Sequence, residues 1–224
     1  MNNMSPPLES YTHRHAAPHR LPLAIKLAYT AFMAVLVPVY WANYGPTNFL
    51  YFCDVALFLT LVAVWAESAL LAGMAAVGIV LPQLIWVADF AAGLVGVKLL
   101  GMTAYMFDER RSLFLRGLSL FHGWLPFLLL FLVKRLGYDK RAFPAWWALA
   151  WALMLFCYLF MPGPTPTAST TPVNINYVHG MSDTAPQTWM PPLAWFGTLL
   201  VGLPAILYWP THLVLQKFFG KRAA

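Results

Sequence analysis

Six long runs of apolar residues constrain the fold of this chain more than any other feature of its sequence. The hydrocarbon core of a bilayer is about 30 Å thick, so a helix needs roughly 20 mainly apolar residues to cross it. The runs that meet this criterion are 21–40, 48–66, 69–90, 113–133, 143–161 and 193–215. The sequence therefore predicts an all-α, polytopic membrane helix bundle with about six transmembrane helices.

The composition of the chain agrees with this prediction. Of the 224 residues, 60% are hydrophobic and 10% are charged, and the mean hydropathy is +0.63. A soluble domain carries about 25% charged residues. The net charge of +6 indicates that the chain is attracted to anionic lipid headgroups. The expected partners are therefore membrane lipids, with partner membrane subunits left open and no nucleic acid.

The sequence predicts one helical domain between two polar ends. Residues 1–20 lack the apolar content to form a core and are predicted to be a disordered cytoplasmic tail. Residues 21–215 form the predicted transmembrane domain, and 216–224 a basic cytoplasmic C-terminus. The loop 162–192 is predicted on the outer side. Within it, 173–180 is either a lid over the bundle or a segment whose aromatic side chains rest at the headgroup level.

The basic residues predict an orientation, because short cytoplasmic loops accumulate Lys and Arg. Clusters of basic residues flank the first predicted helix, separate the fourth from the fifth, and follow the sixth. An even number of spans places all three clusters on one side. Both termini are therefore predicted to be cytoplasmic, in a bacterial inner membrane. One connection disagrees, because 98–116 carries four basic side chains on the predicted outer side.

Few polar side chains lie inside the predicted helices, where a charged group costs a few kcal/mol. Asp54 lies in the second helix, Asp89 in the third, and Arg116, Ser119 and His122 in the fourth. A rise of about 1.5 Å per residue places Asp54, Asp89 and Ser119 in one layer near the outer edge. The spacing of Arg116, Ser119 and His122 places them on one helix face. We therefore expect a polar pocket in the outer half of the bilayer.

Two interpretations of this polar set remain open. In one, Arg116 pairs with Asp54 or Asp89, and the ion pairs lock three helices together. In the other, the set lines a site in which an imidazole acts as general acid or base and a thiol as nucleophile. The catalytic candidates are His122, Cys53 and Asp54, and the substrate-binding candidates are Arg116, Ser119, Asp89 and His179. No metal-binding motif such as HxxxH supports a metal site, and the sequence leaves the cofactor unknown.

Two short segments resemble a known family. The sequences Asn-Phe-Leu-Tyr-Phe-Cys-Asp from Asn48 and Leu-Phe-His-Gly-Trp-Leu-Pro-Phe from Leu120 resemble segments of the androgen-induced-protein-like intramembrane hydrolases. The resemblance implies hydrolysis of lipid esters by a nucleophilic Thr and a His. Tyr51 stands here at the position of that Thr, and His122 matches the His. A similarity to membrane acyltransferases that use Cys and His nominates Cys53 instead, and the chain also resembles uncharacterised bacterial membrane-associated proteins.

The predicted function stays divided between two classes, so whether the chain is an enzyme is left open. In the first, it is an intramembrane lipid hydrolase or acyltransferase with a polar pocket in the outer half of the bilayer. In the second, it is a non-enzymatic scaffold or accessory subunit of a membrane complex. A transporter is disfavoured, because the six predicted spans show no internal repeat and no paired broken helices.

Overall fold

The structure of this chain is a computed structural model that describes residues 21–166 and 171–220. The predicted tail 1–20 and the last residues of the predicted basic C-terminus lie outside the described residues. The helices are α1 (Leu23–Tyr44), α2 (Phe52–Ala66), α3 (Ala69–Leu94), α4 (Leu113–Ser119), α5 (Phe121–Leu136), α6 (Ala142–Phe160), α7 (Pro192–Leu203) and α8 (Trp209–Phe219). Short 3₁₀ helices are formed by Pro46–Leu50, Ala104–Phe107 and Ile175–Tyr177. The predicted all-α class is confirmed.

Five helical stretches in the described residues are long and apolar enough to cross a membrane. They are α1, α3, α4 with α5, α6, and α7 with α8. The sixth helix of the bundle, α2, is apolar but has only 15 residues. It is shorter than the predicted run 48–66, because the 3₁₀ helix Pro46–Leu50 takes up the beginning of that run. These apolar helices confirm a multi-pass membrane protein.

Two of the predicted helices are interrupted. At Leu120, between α4 and α5, the backbone makes i to i+3 hydrogen bonds of 3.2 Å to Gly117 and 2.9 Å from Gly123. Such bonds tighten a helix locally and bend it. The π-helical turn Pro204–Tyr208 joins α7 to α8, and the combined helix ends at Phe219 rather than at the predicted residue 215.

The central helix of the bundle is α3, which packs against α2, α5 and α6. Its glycines permit this close packing. A Cβ atom added at Gly78 would lie 2.0 Å from the ring of Trp146 on α6, and one added at Gly73 would lie 2.8 Å from Cβ of Ala142. Small residues at such positions are typical of helix contacts in membranes, where close backbone approach replaces the hydrophobic effect.

The loops gather at two ends of the bundle. The first, which we name the Glu67 end, contains the start of α1, the turn 67–68, the loop 137–141 and the end of α8. The amide of Leu21 donates to Oε1 of Glu67 at 3.2 Å, and that of Tyr138 donates to the carbonyl of Phe219 at 3.0 Å. The second, which we name the Gly45 end, contains the connections 45–51 and 95–112 and the described residues 161–166 and 171–191. The described basic residues at the Glu67 end are Lys26, Lys134, Arg135, Lys140, Arg141 and Lys217.

Candidate functional site

Asp54 lies in the first turn of α2, near the Gly45 end, and is 3% exposed. Its Oδ2 atom accepts a hydrogen bond from Nδ2 of Asn48 at 3.3 Å and one from the thiol of Cys53 at 3.7 Å. Its Oδ1 atom is buried and has no hydrogen-bond partner in the described structure. A buried carboxyl oxygen without a partner is unfavourable, so this atom can accept a hydrogen bond from a further group.

Two hydroxyl groups of neighbouring helices bond to each other, and one of them interacts electrostatically with this carboxyl. The hydroxyl of Tyr40 on α1 is 2.9 Å from Oγ of Ser119 on α4. Tyr40 is also within electrostatic range of Asp54 and of Tyr105, whose hydroxyl accepts a hydrogen bond from Trp86 at 3.2 Å. We define the Asp54 cluster as Tyr40, Asn48, Cys53, Asp54 and Ser119. Of the residues predicted to line one polar pocket, this cluster contains Cys53, Asp54 and Ser119, and its members come from α1, α2, α4 and the 3₁₀ helix Pro46–Leu50.

Cys53 precedes Asp54 and is partly buried. Both residues lie in the first turn of α2, where the helix supplies no backbone acceptor for its own amides. The amide of Phe52 in this turn is bound by the side chain of Asn176 at 3.1 Å. The positive end of the helix dipole stabilises negative charge at this position. In the described structure the carboxyl of Asp54 occupies this position, beside the thiol of Cys53.

His122 lies at the start of α5, with its ring between two aromatic rings. Its Nδ1 atom is 2.8 Å from the carbonyl oxygen of Ser119, so Nδ1 carries the proton and Nε2 is the acceptor. Its ring centroid is 4.0 Å from that of Phe121 and 5.0 Å from that of Trp86. In the described structure the thiol of Cys53 donates to Asp54 and not to this imidazole. The hydrogen-bond partner of the Cys53 thiol is therefore Asp54 and not His122.

Asp89 holds a loop and does not join the Asp54 cluster. Its carboxylate accepts from the amides of Leu100 at 2.6 Å, Gly101 at 3.0 Å and Thr103 at 2.8 Å, and from the Thr103 hydroxyl at 2.7 Å. Because α2 and α3 run antiparallel from the turn 67–68, Asp89 lies about 12 Å closer to the Gly45 end than Asp54. The prediction that both carboxyls share one layer is wrong.

Arg116 also bonds to a loop. Its Nη1 donates to the carbonyl of Met106 at 3.1 Å, at the 3₁₀ helix Ala104–Phe107. The predicted ion pair with Asp54 or Asp89 is wrong, because Arg116 donates to this loop and the carboxylate of Asp89 accepts from 100–103 instead. The ion pairs formed among the described residues are Lys26 with Glu67, Arg110 with Asp108, and Arg141 with Asp139.

The segment 173–180 covers the start of α2. The side chain of Asn176 accepts from the amide of Phe52 at 3.1 Å and donates to the carbonyl of Leu50 at 2.9 Å. Its φ of 57° is a conformation that Asn tolerates better than most residues. Ile175 and Val178 are fully buried against the bundle. These contacts favour the interpretation of 173–180 as a lid and not as a segment that rests at the headgroup level.

His179 belongs to this lid rather than to the Asp54 cluster. Its ring stacks on Tyr158 of α6 with a centroid distance of 5.0 Å, and its amide donates to Oδ1 of Asn174 at 2.9 Å. Its Nε2 is buried and has no hydrogen-bond partner in the described structure. His179 is therefore placed against α6, and its role in substrate binding stays a prediction.

The site residues predicted from the sequence do not include several polar residues of this region. Asn48 lies six positions before Asp54, and Tyr40 lies one turn before the end of α1. Gln83 is 3% exposed, and both polar atoms of its side chain lack partners in the described structure. The antiparallel arrangement of α2 and α3 places Gln83 within about one helical turn of the level of Asp54. A glutamine in an apolar run is the signal that could have identified it.

Comparisons of this chain with protein-family models, with curated proteins and with solved structures find no match. The resemblance to intramembrane hydrolases and acyltransferases therefore stays a prediction based on two short segments. Among the described residues, no group of three or more His, Cys, Asp or Glu side chains is arranged to hold a metal ion. Among the residues described, the Asp54 cluster therefore holds the groups considered for a reaction.

Proposed function

We propose that this protein is an intramembrane enzyme that transfers or hydrolyses the acyl group of a lipid ester, with Cys53 as the nucleophile and Asp54 as the proton acceptor. The observation that carries the proposal is the 3.7 Å contact between the Cys53 thiol and Oδ2 of Asp54 in the first turn of α2. A positioned base within reach of a thiol is the arrangement that activates a nucleophile.

The reaction uses groups that the Asp54 cluster contains. The sulfur of Cys53 attacks the ester carbonyl carbon while the thiol proton passes to Asp54. The carbon to oxygen bond of the ester then breaks, and the alcohol leaves with the proton from Asp54, which gives a thioester. Water or an acceptor hydroxyl cleaves the thioester and regenerates the thiol. Because the Phe52 amide donates to Asn176, the amides of Cys53 and Asp54 are the ones left in this turn to stabilise the oxyanion of each step.

The surroundings of the thiol suit an apolar substrate. Cys53 is partly exposed at the surface of an apolar helix, so a lipid can reach it from the bilayer. The unpaired Oδ1 of Asp54 offers an acceptor for a donor on the substrate. The lid 173–180 lies over the same helix end and limits the entry of water through its contacts with Leu50 and Phe52.

A thiol-directed acyl probe tests the proposal on the purified full-length protein in detergent. Cys157 provides the matched control, because it is the second cysteine of the chain and is fully buried in α6. We expect labelling and turnover of a fluorogenic lipid ester to be lost in Cys53→Ala and kept in Cys157→Ala. Labelling that persists in Cys53→Ala, or no turnover across neutral and anionic lipid esters, would contradict the proposal.

The second candidate function is a non-enzymatic scaffold or accessory subunit. The hydrogen bonds of Asp89 and Arg116 favour a scaffold, because both charged residues hold the connection 95–112 in place. Asp54 at the third position of α2 also stabilises the positive end of the helix dipole. For a scaffold, Asp54→Asn would lower the melting temperature and the recovery of partner subunits, with no esterase activity in the unchanged protein.

The orientation in the membrane is a separate proposal. We propose that the Glu67 end faces the cytoplasm of a bacterial inner membrane, with both termini on that side. Six described basic residues lie at this end and four at the Gly45 end, where Asp108 pairs with Arg110. A fluorescent reporter fused to the C-terminus is expected to be active only in the cytoplasm. Activity of a periplasm-specific reporter at the same position would reverse the orientation.

A further inference from the structure

A cavity of about 430 Å³ opens at the Glu67 end, on the opposite side of the bundle from the Asp54 cluster. Its walls are the start of α3 at Ala69, the loop from Leu136 to Lys140, and the end of α8 at Gln216 and Gly220. The cavity therefore lies where three helix ends meet, at the level at which lipid headgroups contact a membrane protein.

Most polar groups of these walls already have partners. The amide of Tyr138 donates to Phe219, the amide of Gly220 donates to Gln216, and the Tyr138 hydroxyl is 2.6 Å from Nδ1 of His212. The Asp139 carboxylate accepts from the Arg141 guanidinium at 2.7 Å, which neutralises the acidic group of the cavity. This ion pair holds the pKa of Asp139 below its usual range.

The groups that remain available are mainly hydrogen-bond donors. Lys140 is exposed, lines the cavity, and forms none of the ion pairs found among the described residues. Gln216 presents an exposed amide from the opposite wall. Ala69 begins α3; the amide of Leu71 donates to Oγ of the N-cap Ser68 at 3.3 Å, which leaves the amides of Ala69 and Leu70 without an acceptor within the helix. A cationic side chain, a side-chain amide and helix amides together fit an oxyanion such as a phosphate group.

The surroundings of the cavity indicate that this phosphate belongs to a lipid. Further cations, Lys134, Arg135 and Lys217, lie at the same end of the bundle, so an anion is attracted from the membrane surface. On α8, Leu213 is 46% exposed and lies three positions before Gln216, on the same helix face, so it provides an apolar surface for acyl chains beside the cavity.

We infer that this cavity binds the phosphate-bearing headgroup of an anionic phospholipid, with the acyl chains lying along α8. The site holds a lipid as a ligand and does not depend on the acyl-transfer function proposed for Cys53. Basic pockets between transmembrane helices are typical binding sites of such headgroups.

Native mass spectrometry of the full-length protein in neutral detergent tests the inference with phosphatidylglycerol as the probe and phosphatidylcholine as the neutral reference. We expect phosphatidylglycerol to bind more tightly than phosphatidylcholine and to raise the melting temperature. Inorganic phosphate and glycerol 3-phosphate, added alone at the same concentration, should leave the melting temperature unchanged. Stabilisation by inorganic phosphate equal to that by the lipid would overturn the lipid assignment.

Substitutions distinguish the cavity from general attraction by the basic surface. We expect Lys140→Ala to weaken phosphatidylglycerol binding about fivefold, the effect of one basic residue near a membrane surface. Lys134→Ala is the matched control, because Lys134 lies at the same end, is exposed, and does not line the cavity. Gln216→Glu adds a negative charge to the wall and should abolish the preference for the anionic lipid. Equal losses in Lys140→Ala and Lys134→Ala would overturn the inference.

Discussion

The Sγ atom of Cys53 lies 3.7 Å from Oδ2 of Asp54, and both residues belong to the first turn of α2. If the carboxyl accepts the thiol proton, Asp54→Asn removes the base and keeps the shape of the side chain. We expect acyl-probe labelling of Cys53 to slow about 100-fold or more, the usual contribution of a general base. The measurement is the labelling rate in detergent, followed by intact-protein mass spectrometry.

The control for this prediction is Asn48→Ala. Asn48 donates to the same Oδ2 atom at 3.3 Å, but it is not acidic and cannot accept the thiol proton as a carboxylate does. We expect a smaller loss in Asn48→Ala than in Asp54→Asn. Equal labelling rates in the unchanged protein and in Asp54→Asn would assign Asp54 a structural role at the helix end.

The lid is predicted to control access to the thiol. Asn176 makes two hydrogen bonds to the start of α2, at 3.1 Å with Phe52 and 2.9 Å with Leu50. Asn176→Ala removes both, and each hydrogen bond contributes about 1 kcal/mol. We expect the rate at which a water-soluble maleimide modifies Cys53 to rise several-fold. Asn43→Ala is the matched control, because Asn43 donates only to the carbonyl of Val39 within α1. A rise of the modification rate of the same size in Asn43→Ala would show that the lid does not control access to Cys53.

The apolar runs were sufficient to predict the bundle, because a helix that crosses hydrocarbon must be long and apolar. They were insufficient for the local interruptions. The bend at Leu120 and the π-helical turn Pro204–Tyr208 depend on backbone hydrogen bonds that differ from those of a regular helix, and apolar side chains continue through both. Hydropathy therefore predicted a single helix in each place.

The polar residues were likewise predictable only in part: their presence in apolar helices could be predicted, but their loop partners could not. Asp54 and Ser119 were predicted from their unusual position in apolar helices, and the structure places both in the Asp54 cluster. The partners of Asp89 and Arg116 could not be predicted, because they are backbone groups of the irregular connection between α3 and α4. Asn176 lies in the segment 173–180, for which a lid was one of two interpretations, but its contacts with α2 depend on how a loop more than 100 positions away in sequence packs.

The packing of α3 predicts that its glycines tolerate no side chain. A Cβ atom at Gly78 would lie 2.0 Å from the Trp146 ring, and the ring is fully buried. We expect Gly78→Ala to destabilise the protein by about 1 to 3 kcal/mol, as overpacking of a core does. Thermal unfolding in detergent measures the effect. Gly197→Ala in α7 is the control, because a Cβ atom there meets nothing within 4 Å, and a melting temperature lowered equally in both variants would contradict the packing.

Asp89 is predicted to hold the connection 95–112 rather than to bind a substrate. Asp89→Asn loses the charge that strengthens its hydrogen bonds, and one of its two oxygens becomes an NH2 group that faces backbone amides, whichever way the side chain is turned. We expect a lower melting temperature and faster proteolysis of this connection. Thr103→Val removes only one of the bonds and should have a smaller effect. An Asp89→Asn protein with unchanged stability but lost esterase turnover would instead support the substrate-binding role predicted from the sequence.

Two substitutions of His122 are predicted to distinguish ring stacking from proton transfer. Its ring lies between Phe121 and Trp86, at centroid distances of 4.0 and 5.0 Å, and its Nδ1 donates to Ser119. His122→Phe keeps an aromatic ring in this stack and removes both nitrogens, whereas His122→Ala removes the stack as well. Because Cys53 bonds to Asp54, we expect His122→Phe to retain most of its esterase turnover and thermal stability, and His122→Ala to lose stability. Turnover abolished in His122→Phe with an unchanged melting temperature would show that the imidazole carries a proton in the reaction.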